Sequence, residues 1–313
     1  VQLTVIQRRR LALVVAVSGL LLLLFLVVKA CSTNGEADSG NAATPRKATP
    51  KPKLLPRGGR RLFPDFRVVA LYGNPRDAEL GELGIGTPTR AGIKLNKQAK
   101  PYARKTRPVL PAMELISTMA TAAPGPDGNY SDQQPAEMID RYLKAARRAK
   151  ALLILDIQPG RARFSKEIER LKPWLKEPDV GLALDPEWRV GPDQVPGQVI
   201  GSMHADNVNL AARYLSKVVS DNKLPEKLLL VHRFTDDMII DDHRLRESPG
   251  VRTVINTDGF GTASAKVAKY HDFARRTPTM ARGFKLFYKE DTNVMTPRQV
   301  MALRPRPDLV VYE

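Results

Sequence analysis

An α/β barrel of the (β/α)8, TIM-like class is the fold this sequence predicts, and three observations carry the prediction. From Arg67 onward, short apolar runs alternate with amphipathic stretches, a pattern that implies parallel strands joined by helical crossovers. The runs number eight, the count that closes a barrel, and they are short and mainly apolar, as expected of strands buried on both faces. The region from Arg67 to Glu313 also has the size typical of such a barrel, about 250 residues.

In order, the predicted strands are residues 67–72 (RVVALY), 109–116 (VLPAMELI), 152–157 (LLILDI), 180–184 (VGLAL), 227–232 (KLLLVH), 251–256 (VRTVIN), 283–288 (GFKLFY) and 309–312 (LVVY). The helices expected between them are 89–103, 135–149, 165–175, 205–222, 236–245, 263–275 and 296–303. No eighth helix is expected, because the last apolar run reaches Glu313. An open doubly wound sheet competes with the barrel. Its first turn, however, would be Gly73-Asn74-Pro75, which lacks the phosphate-cradling glycine pattern, and the glycines of 81–86 (GELGIG) come in the wrong order.

Ahead of the barrel the composition changes twice. Arg8, Arg9 and Arg10 precede an uncharged apolar run, 11–28, which Lys29, Ala30 and Cys31 follow. A basic segment followed by an apolar one reads as an export signal, and the run is also near the lower length limit of a membrane span. Either reading keeps the arginines inside and places the barrel on the extracytoplasmic face of the membrane. Residues 1–31 are thus expected to be a signal peptide or membrane anchor. Residues 32–66, rich in Pro, Lys, Ser and Thr, are expected to be a disordered linker, having too little apolar surface to offset the entropy of ordering. Residues 67–313 would form the barrel domain.

The net charge of +17 favours an anionic neighbour. Without zinc-finger spacing or an arginine-rich recognition stretch, and with only 6% aromatic residues, nucleic acid is not the partner expected. A single cysteine excludes an intrachain disulfide. His204, His232, His243 and His271 show no paired metal-ligand spacing, so neither a metal nor a cofactor is expected. No Gly-x-Ser-x-Gly turn is present for serine catalysis.

In such barrels the reacting groups stand at the carboxyl ends of the strands. Read there, the sequence offers Glu114, Asp156, Asp185 with Glu187, His232, Asp258, Glu290 with Asp291, and Glu313. Carboxylates gathered in a dry mouth push their pKa values apart, so that one holds a proton while another stays ionised. Glycosidic hydrolysis needs that division of labour. The candidate catalytic residues are therefore Glu187, Asp185, Asp156 and Glu114. Asp258 and His232 would help bind substrate, with Trp188, Tyr72 and Tyr288 stacking on sugar rings.

The stretches LLILDIQPGRA, GLALDPEW, HRFTDDMI, DGFG and LRPRPDLVVYE resemble a family of uncharacterised actinobacterial lipoproteins and secreted proteins. Ala30-Cys31 is similar to the lipobox of bacterial lipoproteins, which implies lipidation at Cys31. The Asp185-Pro186-Glu187 end of the fourth strand is similar to that of chitinase-like and wall-lytic lysozyme-like barrel hydrolases, distant glycoside-hydrolase relatives. That resemblance implies Glu187 as proton donor supported by Asp185. Two further acids of the chitinase pattern fall here on Val180 and Ala183. The expectation is an exported, membrane-tethered lipoprotein whose glycoside-hydrolase-like barrel acts on a cell-envelope or extracellular glycan. The alternative is a non-catalytic envelope lipoprotein that binds a glycan or peptide in the same mouth.

Overall fold

The computed structural model describes residues 52–313. The predicted signal or anchor, Cys31 and the linker up to Lys51 lie outside the described residues. Among those described, no helix is long and apolar enough to cross a membrane.

Eight strands form a closed parallel barrel: β1 (Arg67–Asn74), β2 (Val109–Ala120), β3 (Leu152–Ile157), β4 (Val180–Leu184), β5 (Lys227–Arg233), β6 (Val251–Thr257), β7 (Ala281–Leu286) and β8 (Leu309–Tyr312). Each pairs in parallel with the next, and β8 pairs with β1 to close the ring. The helices on the outside are α1 (Pro88–Ala99), α2 (Ala136–Arg148), α3 (Phe164–Arg170), α4 (Ala205–Asn222), α5 (Ala263–Arg276) and α6 (Pro297–Ala302). Their buried faces pack on the outward residues of the strands, such as Val69, Leu71, Met113 and Leu115.

The alternation of side chains along each strand decides what the lumen holds. Val68 and Ala70, Leu110 and Ala112, Leu152 and Ile154, Leu228 and Leu230, and Leu309 and Val311 fill its lower part. One inward step higher, the same parity presents Tyr72, Glu114, Asp156, His232 and Lys285. Register ties the layer together, with Tyr72 opposite Glu114 and His232 opposite Asn256.

Two expectations fail. The end of the predicted linker is ordered: Leu55, Leu62, Phe63 and Phe66 are buried against the lower lumen. Arg60 donates to Leu224 O at 2.7 Å, and Leu62 N donates to Glu226 Oε2 at 2.6 Å. These four apolar residues plug the barrel floor, where water would otherwise meet the lumen residues. The helix expected over 236–245 is likewise absent. Ile239–Ile240 pairs in parallel with Met203–His204, and a single 3-10 turn, Asp242–Arg244, follows. Asp242 receives Arg233 at 2.8 Å and Arg276 at 2.9 Å. Asp241 sits in the left-handed region at φ 57°, so the carboxylate-rich stretch holds arginines instead of winding into a helix.

Candidate active site

The barrel mouth opens into a cavity of about 430 Å3. Tyr72, Asp185, Glu187, Trp188, Asp258, Lys285 and Glu313 line it, with Gln158 and the aromatic rings of Phe234, Phe260 and Phe287. The Asp185-Pro186-Glu187 segment reaches the cavity by a turn rather than by continued extension. Asp185 N donates to Ile157 O at 3.1 Å, which closes β4 onto β3. Pro186, unable to donate to a ladder, then opens a 3-10 turn over Pro186–Trp188. Asp185 and Glu187 therefore do not share a strand face, yet both reach the same cavity.

Beneath the cavity lies a buried charge network. His232 is completely buried; its Nδ1 lies 2.6 Å from Asp258 Oδ2 and its Nε2 2.8 Å from Glu114 Oε1. Burial alone would lower its pKa, but the charges of Asp185 and Glu114 and the hydrogen bonds to Asp258 and Glu114 raise it well above the ordinary value. Flanked by carboxylates at both ring nitrogens, it is placed to hold a proton. Lys285 Nζ bridges Asp258 at 3.1 Å and Glu313 at 2.8 Å, and stands 3.9 Å over the Tyr72 ring. The Tyr72 hydroxyl accepts from Gln158 Nε2 at 3.0 Å and donates to Asp156 Oδ2 at 3.4 Å.

These contacts divide the carboxyls into two sets. Burial opposes ionisation of Asp258, yet Lys285 and His232 hold its carboxyl well below the usual range. Burial, reinforced by the charge of Asp258, pushes Glu187 up to about 7. Burial also pushes Asp156 up to about 7 against the pull of His232, and burial with the Glu187 charge carries Asp185 well above the carboxylate range. At neutral pH the cavity thus holds an ionised Asp258 and a Glu187 able to give up a proton. Arg161 and Arg189 do not neutralise the pair: Arg161 donates to Gln194 O at 2.9 Å, and Arg189 to Val190 O.

The sequence-selected residues fall into three groups. Asp185, Glu187, Trp188, Tyr72 and Asp258 line the cavity. Glu114, Asp156 and His232 lie below it, each with no exposed surface, so they reach a ligand only through Tyr72 and Asp258. Tyr288 is elsewhere. Strand β7 ends at Leu286, two residues short of the expected end, and Tyr288 stacks on Tyr312 at 5.3 Å outside the mouth. Asp291 ion-pairs with Lys266 at 2.7 Å and accepts from Gly261 N, which makes it a loop clamp.

Sequence reading missed Lys285, Gln158 and Phe287. Lys285 had a usable signal, a lone charge at an inward position of an apolar strand. It also missed the clustering of Glu114, Asp156 and His232, whose donor atoms lie within 4.8 Å of one another. That spacing suits a metal ion, but both ring nitrogens of His232 already face carboxylates at hydrogen-bond distance. Glu114 Oε2 and Asp156 Oδ1 are buried without partners; the raised pKa of Asp156 fits a proton held at this point.

Fold and mouth together define a (β/α)8 barrel with an acidic, aromatic-rimmed site at the carboxyl ends of its strands. No protein-family model matches the chain, and no curated protein matches it. Among solved structures, the chain is similar to oxaloacetate acetylhydrolase in complex with the inhibitor 3,3-difluorooxalacetate. The identity is 8% and the TM-score 0.30, over 79% of this chain and 75% of that one. A likeness of that size bears on neither residues nor reaction, and the fold rests on the strand pairing itself.

Proposed function

We propose that the barrel hydrolyses glycosidic bonds of a cell-envelope or extracellular glycan, with Glu187 as general acid. The observation that supports this reading is the pairing, in one cavity, of a carboxyl titrating near 7 with a carboxylate held ionised. The protonated Glu187 would give its proton to the leaving oxygen, and Asp258 would stabilise the positive charge growing on the sugar ring. Asp258 takes this part rather than Asp156 or Glu114, because it faces the cavity and they do not. Asp185 lines the same cavity and begins the turn that carries Glu187. The rim aromatics Trp188, Phe234 and Phe260 offer apolar faces to sugar rings. The envelope setting rests on the basic-apolar-Cys31 pattern of the amino-terminal segment.

The test is release of reducing ends from a panel of wall and storage glycans by wild type and by Glu187→Gln. Loss of general-acid catalysis should lower kcat by about 10²- to 10⁴-fold. The wild-type rate should fall as pH rises through about 7, where Glu187 loses its proton. Full activity of the Gln variant would refute the assignment. Saturable binding without product from the wild type would replace hydrolysis with glycan binding.

A further inference from the structure

A second, larger recess lies on the outer surface, behind the segment that carries Glu187. It measures about 890 Å3, roughly twice the mouth, and lies among α3, α4 and the loop over 189–204. Its walls are mixed: an aliphatic part is made by Ile168 of α3, Leu210 and Ala211 of α4, and Val190, Ile200 and Met203 of the loop, and Gln194, Ser202, His204 and Asn207 are polar residues beside it. Four cations stand among the lining residues, Arg163, Arg189, Arg213 and Lys217, and no carboxylate does. Lys217 pairs with exposed Asp221 at 3.0 Å; among the described residues the three arginines form no ion pair. Ile200 and Leu210 remain 58% and 55% exposed, although each belongs to the recess wall. Single exposed apolar residues are ordinary, but two of them in one concave, cation-bearing recess mark a ligand site.

We propose that this recess binds a free single-chain anionic amphiphile, an aliphatic chain headed by a carboxylate or phosphate. The aliphatic part of the wall matches a flexible hydrocarbon chain, and the polar residues beside it lie with the cations, where a head group would sit. The unpaired guanidinium groups match an anionic head, to which arginine donates in a planar fork. The recess is concave, which suits a single molecule entering it more than a bilayer surface. The loop that forms one wall is fastened to the catalytic segment. Gly201 N donates to Glu187 O at 2.6 Å, and Ser202 N to Arg189 O at 3.2 Å.

The experiment is calorimetric titration of the full-length protein with three probes: dodecanoate, dodecyltrimethylammonium and acetate. Dodecanoate should saturate one site, the cationic probe with the same chain should bind at least tenfold more weakly, and acetate should give no heat. The exposed double change Arg163→Gln/Arg213→Gln should weaken dodecanoate at least tenfold while leaving the circular dichroism spectrum and urea midpoint unchanged. Ile200→Asn should weaken it through the chain. Equal binding of both dodecyl probes, unchanged affinity in the double variant, or no saturable dodecanoate binding would each overturn the proposal. Sedimentation with phosphatidylcholine vesicles, with and without phosphatidylglycerol, separates the remaining source. Association that requires phosphatidylglycerol and both arginines, with no binding of dodecanoate, would reassign the recess to a bilayer surface and overturn the free-ligand proposal.

Discussion

Replacing Glu187 with Gln should make the protein more stable at alkaline pH while it removes the proposed acid. The side chain is pushed from its ordinary 4.5 to about 7, chiefly by burial and then by the charge of Asp258. An unfolded chain releases this proton near 4.5, whereas the folded chain keeps it until about 7. Between those values the folded state binds more protons, so stability falls as pH rises, and above about 7 the full penalty is in place. At about 1.4 kcal/mol per pH unit, the penalty reaches about 3 kcal/mol. Asp185 titrates against the same charge, so removing Glu187 alone should recover about 1–3 kcal/mol at pH 8. At pH 4 both states hold the proton, and the gain should vanish. The assay is urea unfolding of wild type and variant at pH 4 and pH 8, followed by tryptophan fluorescence and circular dichroism. Against a usual total of about 5–15 kcal/mol, the difference is easily measured. A variant less stable than wild type at pH 8, or a gain of the same size at both pH values, would refute the reasoning.

Lys285→Met leaves the buried Asp258 and the partly exposed Glu313 without their shared cation and should cost about 3–5 kcal/mol in urea unfolding at pH 7. Asp258 has a lowered pKa in the fold, so its contribution is present above its ordinary value and is lost as pH falls; the cost of Lys285→Met should therefore shrink below pH 4. Gly283→Ala would place a Cβ 2.5 Å from Asn256 Oδ1 and drive Asn256 toward His232. A loss of about 1–3 kcal/mol is expected, with a displaced His232 resonance by NMR. Leu62→Ala should cost about 2–5 kcal/mol if residues 55–66 plug the barrel, and nothing measurable if they were a linker.

Much of the fold was legible because buried parallel strands have a strong local signature. The runs LLILDI, VGLAL and LVVY coincide with β3, β4 and β8 to the residue. The 205–222 helix is equally well marked by its apolar spacing. The misses are places where a distant partner overruled local preference. Arg233 and Arg276 drew Asp242 out of a helix. The apolar residues among 55–66 are too few to look like a core, yet they cover a lumen built by strands far along the chain. Tyr288 was misplaced because β7 begins and ends two residues early.

What the sequence determined by itself was the ring of acids. Strand ends carrying Glu114, Asp156, Asp185, His232 and Asp258 must converge once eight parallel strands close, because the pleat sends alternate side chains inward. Only the tertiary structure decided which of these acids face the cavity and which lie beneath it. Their charge depends on depth and charged neighbours, and both are set by residues from other strands. Lys285 and His232 hold Asp258 ionised, the cavity wall leaves Glu187 protonatable, and the lumen buries Glu114 and Asp156 beneath them. The same holds for the second recess: its arginines are scattered from Arg163 to Arg213 along the chain, and only the packing of α3 and α4 against the 189–204 loop brings them to one apolar pocket.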